Sequence, residues 1–148
     1  MVSTSEARLR LIKSFPALTD SNFGLTSNQD RNYNCIAWAA NDNSRWWWPA
    51  HPMGYWPDPL AENHLSSFQS AFEGLGFEVC EDGALEAGFE KVAIYALHGQ
   101  PKHAARQTAD GNWTSKLGNE WDIWHEQDAL NGPVYGEPVL FLKRTVNS

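Results

Sequence analysis

The sequence predicts an α+β fold in which N-terminal helices, one of them bearing Cys35, pack on a C-terminal antiparallel sheet. Three observations predict it. Segments of helical period fall early in the chain, β-branched and aromatic runs of strand length fall late, and the dipeptide Asp110-Gly111 joins two of those runs as a hairpin turn would. At 148 residues, 42% apolar and 20% charged, the chain suits a single domain with its own hydrophobic core rather than a disordered segment. No internal repeat, low-complexity tract or linker divides residues 1–148.

The elements follow in order. Residues 6–15 carry Leu9, Ile12 and Phe15 at spacings of three, an amphipathic helix that Pro16 closes. Residues 19–34 are polar and turn-rich. In YNCIAWAAND the positions from Cys35 to Ala40 are small or apolar and follow Asn32 and Asn34, both good N-caps, so Cys35 falls in the first turn of a short buried helix. Residues 61–75 place Leu65, Phe68, Ala71, Phe72 and Leu75 on one helical stripe, and Gly76 ends it. Residues 77–80 and 91–97 read as strands, the second a central one. Residues 102–109 and 112–117 flank Asp110-Gly111, read as a two-residue type I′ turn, and 138–144 form the last strand.

Composition excludes several function classes. A formal charge of -7 argues against a nucleic-acid binder, which needs Lys and Arg against phosphates. No apolar run approaches the roughly 18 residues of a membrane helix. The N-terminus lacks a signal-peptide pattern, so a cytoplasmic protein is expected, with export by a signal-independent route left open. Cys35 and Cys80 form no CxxC pair, the five histidines show no i, i+4 pairing and no HExxH, and glycine-rich phosphate loops are missing, so neither a metal nor another cofactor is expected.

Eight tryptophans are an excess for this length, and Trp46, Trp47, Trp48 and Trp56 share one stretch with Pro49, Pro52, Pro57 and Pro59. Prolines forbid regular structure there, so an aromatic-packed loop is expected. It reads as a self-packed cover in preference to an open platform for stacking sugars, although some rings could wall a cleft beside the Cys35 helix.

The chemistry-bearing candidates begin with that thiol. A cysteine in the first turn of a helix lies near unpaired amides and the positive end of the dipole, which favours thiolate. Thiolate chemistry needs an imidazole in contact and a third group to orient it. His51, His64 and His98 sit in a loop, a helix start and a turn, which leaves His103 at the start of the hairpin. A two-residue turn places His103 opposite Gly118, so the orienting group is sought among 119–122, where Asp122 leads and Asn119, Glu120 and nearby His125 are alternatives. Cys80, between Glu78 and Glu81, reads as structural. Arg106, Gln107, Ser115 and Lys116 read as a solvated sheet face, along which Gln107 and Ser115 could line a substrate groove.

The order Cys35, His103, Asp122 resembles the Cys, His, Asp/Asn order of papain-like cysteine hydrolases, among them bacterial cell-wall amidases, endopeptidases and transglutaminase-like enzymes. More specifically, YNCIAWA, RWWWP, YWP, KVAIYA, HAARQ, WTSKLG and DIWH resemble an uncharacterised bacterial family over residues 29–144. The papain-like resemblance implies Cys35 as nucleophile, His103 as base, Asp122 as orienter and Gln29 as an oxyanion donor beside the Cys35 amide. Asn34 and Trp38 would join Gln107 and Ser115 in the substrate-binding set. Asn34-Cys35-Ile36 departs from papain's Gly/Ser-rich surround, which weakens any claim to papain's own peptide specificity. The expected activity is cleavage of an amide or isopeptide bond in a peptide or other amide-containing substrate. Two alternatives stand beside it: a noncatalytic binding or interaction domain on a papain-like scaffold, and an effector or toxin domain with a protein partner.

Overall fold

A computed structural model describes residues 4–19, 21–27, 33–42, 45–49, 54–58, 61–117 and 122–146. Its elements are α1 (Thr4–Ser14), β1 (Phe23–Ser27), α2 (Cys35–Ala39), α3 (Leu65–Gly74), β2 (Glu78–Cys80), β3 (Phe89–Leu97), β4 (Gln100–Gln107), β5 (Trp113–Lys116), β6 (Asp122–His125) and β7 (Glu137–Thr145). The seven strands form one sheet in the order β1-β6-β5-β4-β3-β7-β2, and every neighbouring pair is antiparallel. The α+β class therefore holds.

Strand residues alternate between two hydrophobic layers, as a side-chain period of two requires. Val92, Ile94, Ala104 and Leu142 face α2, α3 and the tryptophan segment. Ala93, Tyr95, Ala105, Trp113 and Ile123 face α1, together with Leu130 from the segment after β6. Ile36, Phe68, Phe72, Ile94 and Leu142 are fully buried in the first layer, each contributing about 1.5–3 kcal/mol of transfer free energy.

The short helix is built as its sequence suggests. Asn34 is its N-cap, and its Oδ1 accepts from the Ala37 amide at 3.2 Å and from the Trp47 amide at 3.0 Å, while its Nδ2 donates to the Trp47 carbonyl at 2.8 Å. One side chain thus caps α2 and fastens the aromatic segment over it. Trp47 and Trp56 are buried and meet edge-on at 6.1 Å, and Trp56 packs on Phe68 at 4.8 Å. These rings form the expected cover over α2 and α3.

Four expectations are corrected. The buried stripe of α1 is Ala7, Leu11 and Phe15, while Leu9 is 67% exposed. The stretch read as turns contains β1, an edge strand whose Gly24 admits the Trp124 indole, where a Cβ would collide. Residues 122–125, which the sequence assigns to no element, form the strand β6. The fourth correction concerns the turns. His98 and Gly99 both adopt positive φ, 52° and 80°, between the paired residues Leu97 and Gln100, so the two-residue type I′ turn lies there. At Asp110-Gly111 the loop has three residues. The Thr108 amide donates to the Asn112 carbonyl at 2.8 Å, the Gly111 amide to the Thr108 carbonyl at 3.1 Å, and Gly111 sits at φ 91°. Arg106 therefore pairs with Thr114 and Gln107 with Trp113, one residue away from the expected register. That slip decides which side chains share a face.

Candidate functional site

Two buried polar clusters flank the sheet. On the α2 side, Cys35 is 6% exposed, and its sulfur lies against the Ala104 backbone. Lys116 and Asp122 are directly opposed in the β5–β6 pair, and both are buried. The Tyr33 hydroxyl donates to Asp122 Oδ2 at 3.2 Å, and the Lys116 ammonium lies 5.5 Å from the Tyr33 ring centre. Tyr33 stacks on Trp38, whose Nε1 donates to Thr114 Oγ1 at 3.2 Å, and the Arg106 guanidinium covers the same indole at 5.0 Å. Trp38 is a packed wall here. Burial pushes the Cys35 thiol up to about 11, against smaller downward pulls from the Ala104 amide and Lys116. At neutral pH the sulfur is a thiol, and a five-residue helix supplies little dipole to change that.

On the α1 side stands a chain of neutral groups. His125 Nδ1 donates to the Glu126 carbonyl at 2.8 Å, which leaves Nε2 to accept from the Ser115 hydroxyl at 2.7 Å. Ser115 Oγ then accepts from His103 Nε2 at 2.9 Å. All three residues are fully buried. The His103 ring stacks on Tyr135 at 4.1 Å and meets Tyr95 edge-on at 5.2 Å. Desolvation, reinforced by the neighbouring His125, holds His103 well below the usual histidine range, and desolvation lowers His125 to about 4.

The expected Cys35, His103, Asp122 triad is not assembled. Cys35 packs against Ala104, and the residue before it on β4 points to the opposite face. His103 spends Nε2 on Ser115, and its Nδ1 has no hydrogen-bond partner, so no thiol is within reach of either ring nitrogen. Cys35 shares a face with Asp122, and His103 shares one with Ser115 and His125. The register accounts for Ser115: a two-residue turn would have put it on the other face from His103. Of the alternatives for the third residue, His125 lies among the described residues and is joined to His103 through Ser115. Gln29, Asn119 and Glu120, like Gly118, lie outside the described residues.

Asn34, expected in the substrate-binding set, is a structural cap whose side-chain polar atoms are both engaged, by Ala37 and Trp47. Gln107 is buried on the α1 face, where its Nε2 donates to the Gly83 carbonyl at 2.7 Å and its Oε1 has no partner. Sequence reasoning missed Tyr33 and Tyr135, and it read Lys116 as solvated although it is fully buried. The alternation of Lys116 with Ser115 and Leu117 held that signal, because two buried faces on one strand leave no solvated side. Cys80 is half-buried and forms no disulfide with Cys35. Among the described residues no three His, Cys, Asp or Glu side chains converge as metal ligands, and no helix is long and apolar enough to cross a membrane.

No curated protein and no solved structure matches this chain. A family profile does, over residues 24–143, a span that runs from β1 to β7 and takes in both polar clusters, and on that match the chain belongs to the family described as a domain of unknown function (DUF7689).

Proposed function

We propose that this chain is a noncatalytic binding domain on a papain-like scaffold, with Cys35 retained as a core thiol at the start of a sheet-packed helix. The observation that carries the reading is the placement of His103 across the sheet from Cys35, with both imidazole-bearing strands turned toward α1. A thiol with its pKa pushed to about 11 and, among the described residues, no imidazole in contact lacks both the anion and the proton carrier that acyl transfer needs. Iodoacetamide labelling tests it. In the folded chain at pH 7, Cys80 should alkylate and Cys35 should remain unmodified until denaturant is added, as read by peptide mass spectrometry. Preferential alkylation of Cys35 near neutrality, lost in His103→Ala, would overturn the reading.

A second reading keeps amide hydrolysis at Cys35, and one observation favours it. Lys116 and Asp122 stand beside the thiol on the same face, so a cation is available where the His103 imidazole is not. Lys116 would then lower the thiol's pKa on opening of the cover, and Asp122 would hold Lys116. Here an electrophilic amide analogue should trap Cys35 in the parent chain and fail to do so in Lys116→Met, whereas His103→Ala should trap as the parent does.

A further inference from the structure

A cleft of about 440 Å³ opens on the α1 side of the sheet, between the last turns of α1 and the segment after β6. Its floor is apolar. Leu11 and Phe15, one helical turn apart, meet Leu117 and the ring of Tyr135, which lies 5.1 Å from the Phe15 ring and stacks on His103 at 4.1 Å. Val134, 42% exposed, adds an apolar wall.

The rim is of another kind. Arg10, Lys13 and Ser14 stand at i, i+3 and i+4 on α1, and all three are exposed and line the cleft. Among the described residues neither cation makes an ion pair, a hydrogen bond or a ring contact, whereas Lys91, Lys143 and Arg144 each meet a carboxylate, at 3.5, 2.7 and 2.6 Å. Lys13 lies in the last turn, where it offsets the negative end of the helix, but that leaves its ammonium donors unfilled. No carboxylate lines the cleft among the described residues. In a chain of formal charge -7, two unmatched cations beside an apolar floor reverse the local sign. A bare anion would leave the floor wet, and a neutral apolar molecule would leave the cations unmatched. The two features together select a body that covers Leu11, Phe15 and Tyr135 and a negative head that reaches the rim.

We propose that this cleft binds a small apolar carboxylate, its body seated on Leu11, Phe15 and Tyr135 and its carboxylate held by Arg10 and Lys13. Its volume falls within the usual range for small-molecule sites. The cleft lies across the sheet from Cys35, so the proposal goes beyond the reading of that thiol and stands or falls separately from the alkylation result.

The test uses the full chain, ¹⁵N-labelled, titrated at millimolar concentration with phenylacetate, with phenylacetamide and phenethylammonium, which replace the carboxylate by a neutral and a cationic head, and with acetate, which lacks the body. Phenylacetate should shift the amide resonances of residues 10–15, 117 and 134–135 and bind about fivefold tighter than phenylacetamide, the worth of two exposed ion contacts, with acetate and phenethylammonium weaker still. Added salt should weaken phenylacetate and leave the amide unchanged. Arg10→Gln combined with Lys13→Gln, both at exposed positions, should bring phenylacetate down to the affinity of the amide, and Val134→Asp, also exposed, should weaken phenylacetate with the cations intact. Equal binding of phenylacetate and phenylacetamide, preference for the ammonium, acetate binding as tightly as phenylacetate, no saturable shift with phenylacetate, or shifts confined to other parts of the molecule would each overturn the proposal.

Discussion

The two faces of the sheet bury comparable polar groups in opposite ways. On the α2 side, Lys116 and Asp122 oppose each other across one strand pair beside a thiol that burial keeps protonated. On the α1 side, His103, Ser115 and His125 form a hydrogen-bonded line whose two imidazoles are both kept neutral. Adjacent residues of β4, β5 and β6 alternate between these environments, so a catalytic set read along the sequence is cut in two by the pleat. The contrast makes the faces titrate at opposite ends of the pH scale.

The largest expected effect is acidic. An unfolded histidine takes up a proton near pH 6.5, but folded His125 does so only near 4, so over that interval the unfolded state binds more protons. Stability is then full above about pH 6.5 and is lost as pH falls toward 4, by about 3 kcal/mol for His125, with His103 adding in the same direction. Urea unfolding from pH 7.5 to 4.5 measures the slope. His125→Phe should reduce it, leaving the part due to His103, whatever it does to absolute stability, and an unchanged slope would mean that His125 is not where acid acts.

Breaking the same line from its centre comes next. Ser115→Ala leaves two buried imidazole nitrogens with no partner, a cost of about 2–4 kcal/mol at pH 7. Thr114→Ala, one residue away on the α2 face, removes a half-buried hydroxyl that bonds Trp38 and the Arg106 carbonyl and should cost about 1 kcal/mol. Similar losses at the two positions would erase the distinction between the faces.

How much of this was legible depends on what kind of signal each residue carries. The Asn34 cap, the α2 start and the Phe68–Phe72 stripe follow from local chemistry and spacing, and they stand where the sequence predicts. β1 was hidden because FGLTS is short, holds a glycine and lies at a sheet edge. The site failed for a subtler reason. Asp-Gly suits both a two-residue type I′ turn and a three-residue loop with glycine at positive φ, and the choice between them shifts every residue of β5 by one face. His98-Gly99 escaped notice because a histidine at positive φ is an uncommon way to make the tighter turn. Pairing His103 with Cys35 also required knowing which of two buried faces each strand residue takes, and apolar period marks only one face when the other is solvated.

The α2 face should respond to alkali. An unfolded thiol ionises near pH 9, while folded Cys35 resists until about 11, so stability is full below 9 and is lost as pH rises. Between pH 9 and 10, before tyrosines contribute, the loss should be about 1 kcal/mol in a Cys80→Ser background. Cys35→Ala in that background should remove the slope, and His125→Phe should leave it unchanged. A slope that survives Cys35→Ala would place the alkaline limb elsewhere.

The smallest effect isolates the register itself. Deleting Ala109 shortens the loop between Thr108 and Asn112 to Asp110-Gly111, the two-residue type I′ sequence, without moving any residue of β4 or β5 to the other face. What is lost is local: the Asp110 carboxylate's bonds with Thr108 and the Asn112 amide. Stability should change by only about 1 kcal/mol, and the acid and alkaline slopes should both persist, because His103, Ser115 and His125 keep one face and Cys35, Lys116 and Asp122 keep the other. Loss of both slopes on this deletion, measured by the same urea series, would show that the three-residue loop, and not the pairing of the strands it joins, holds the two clusters apart.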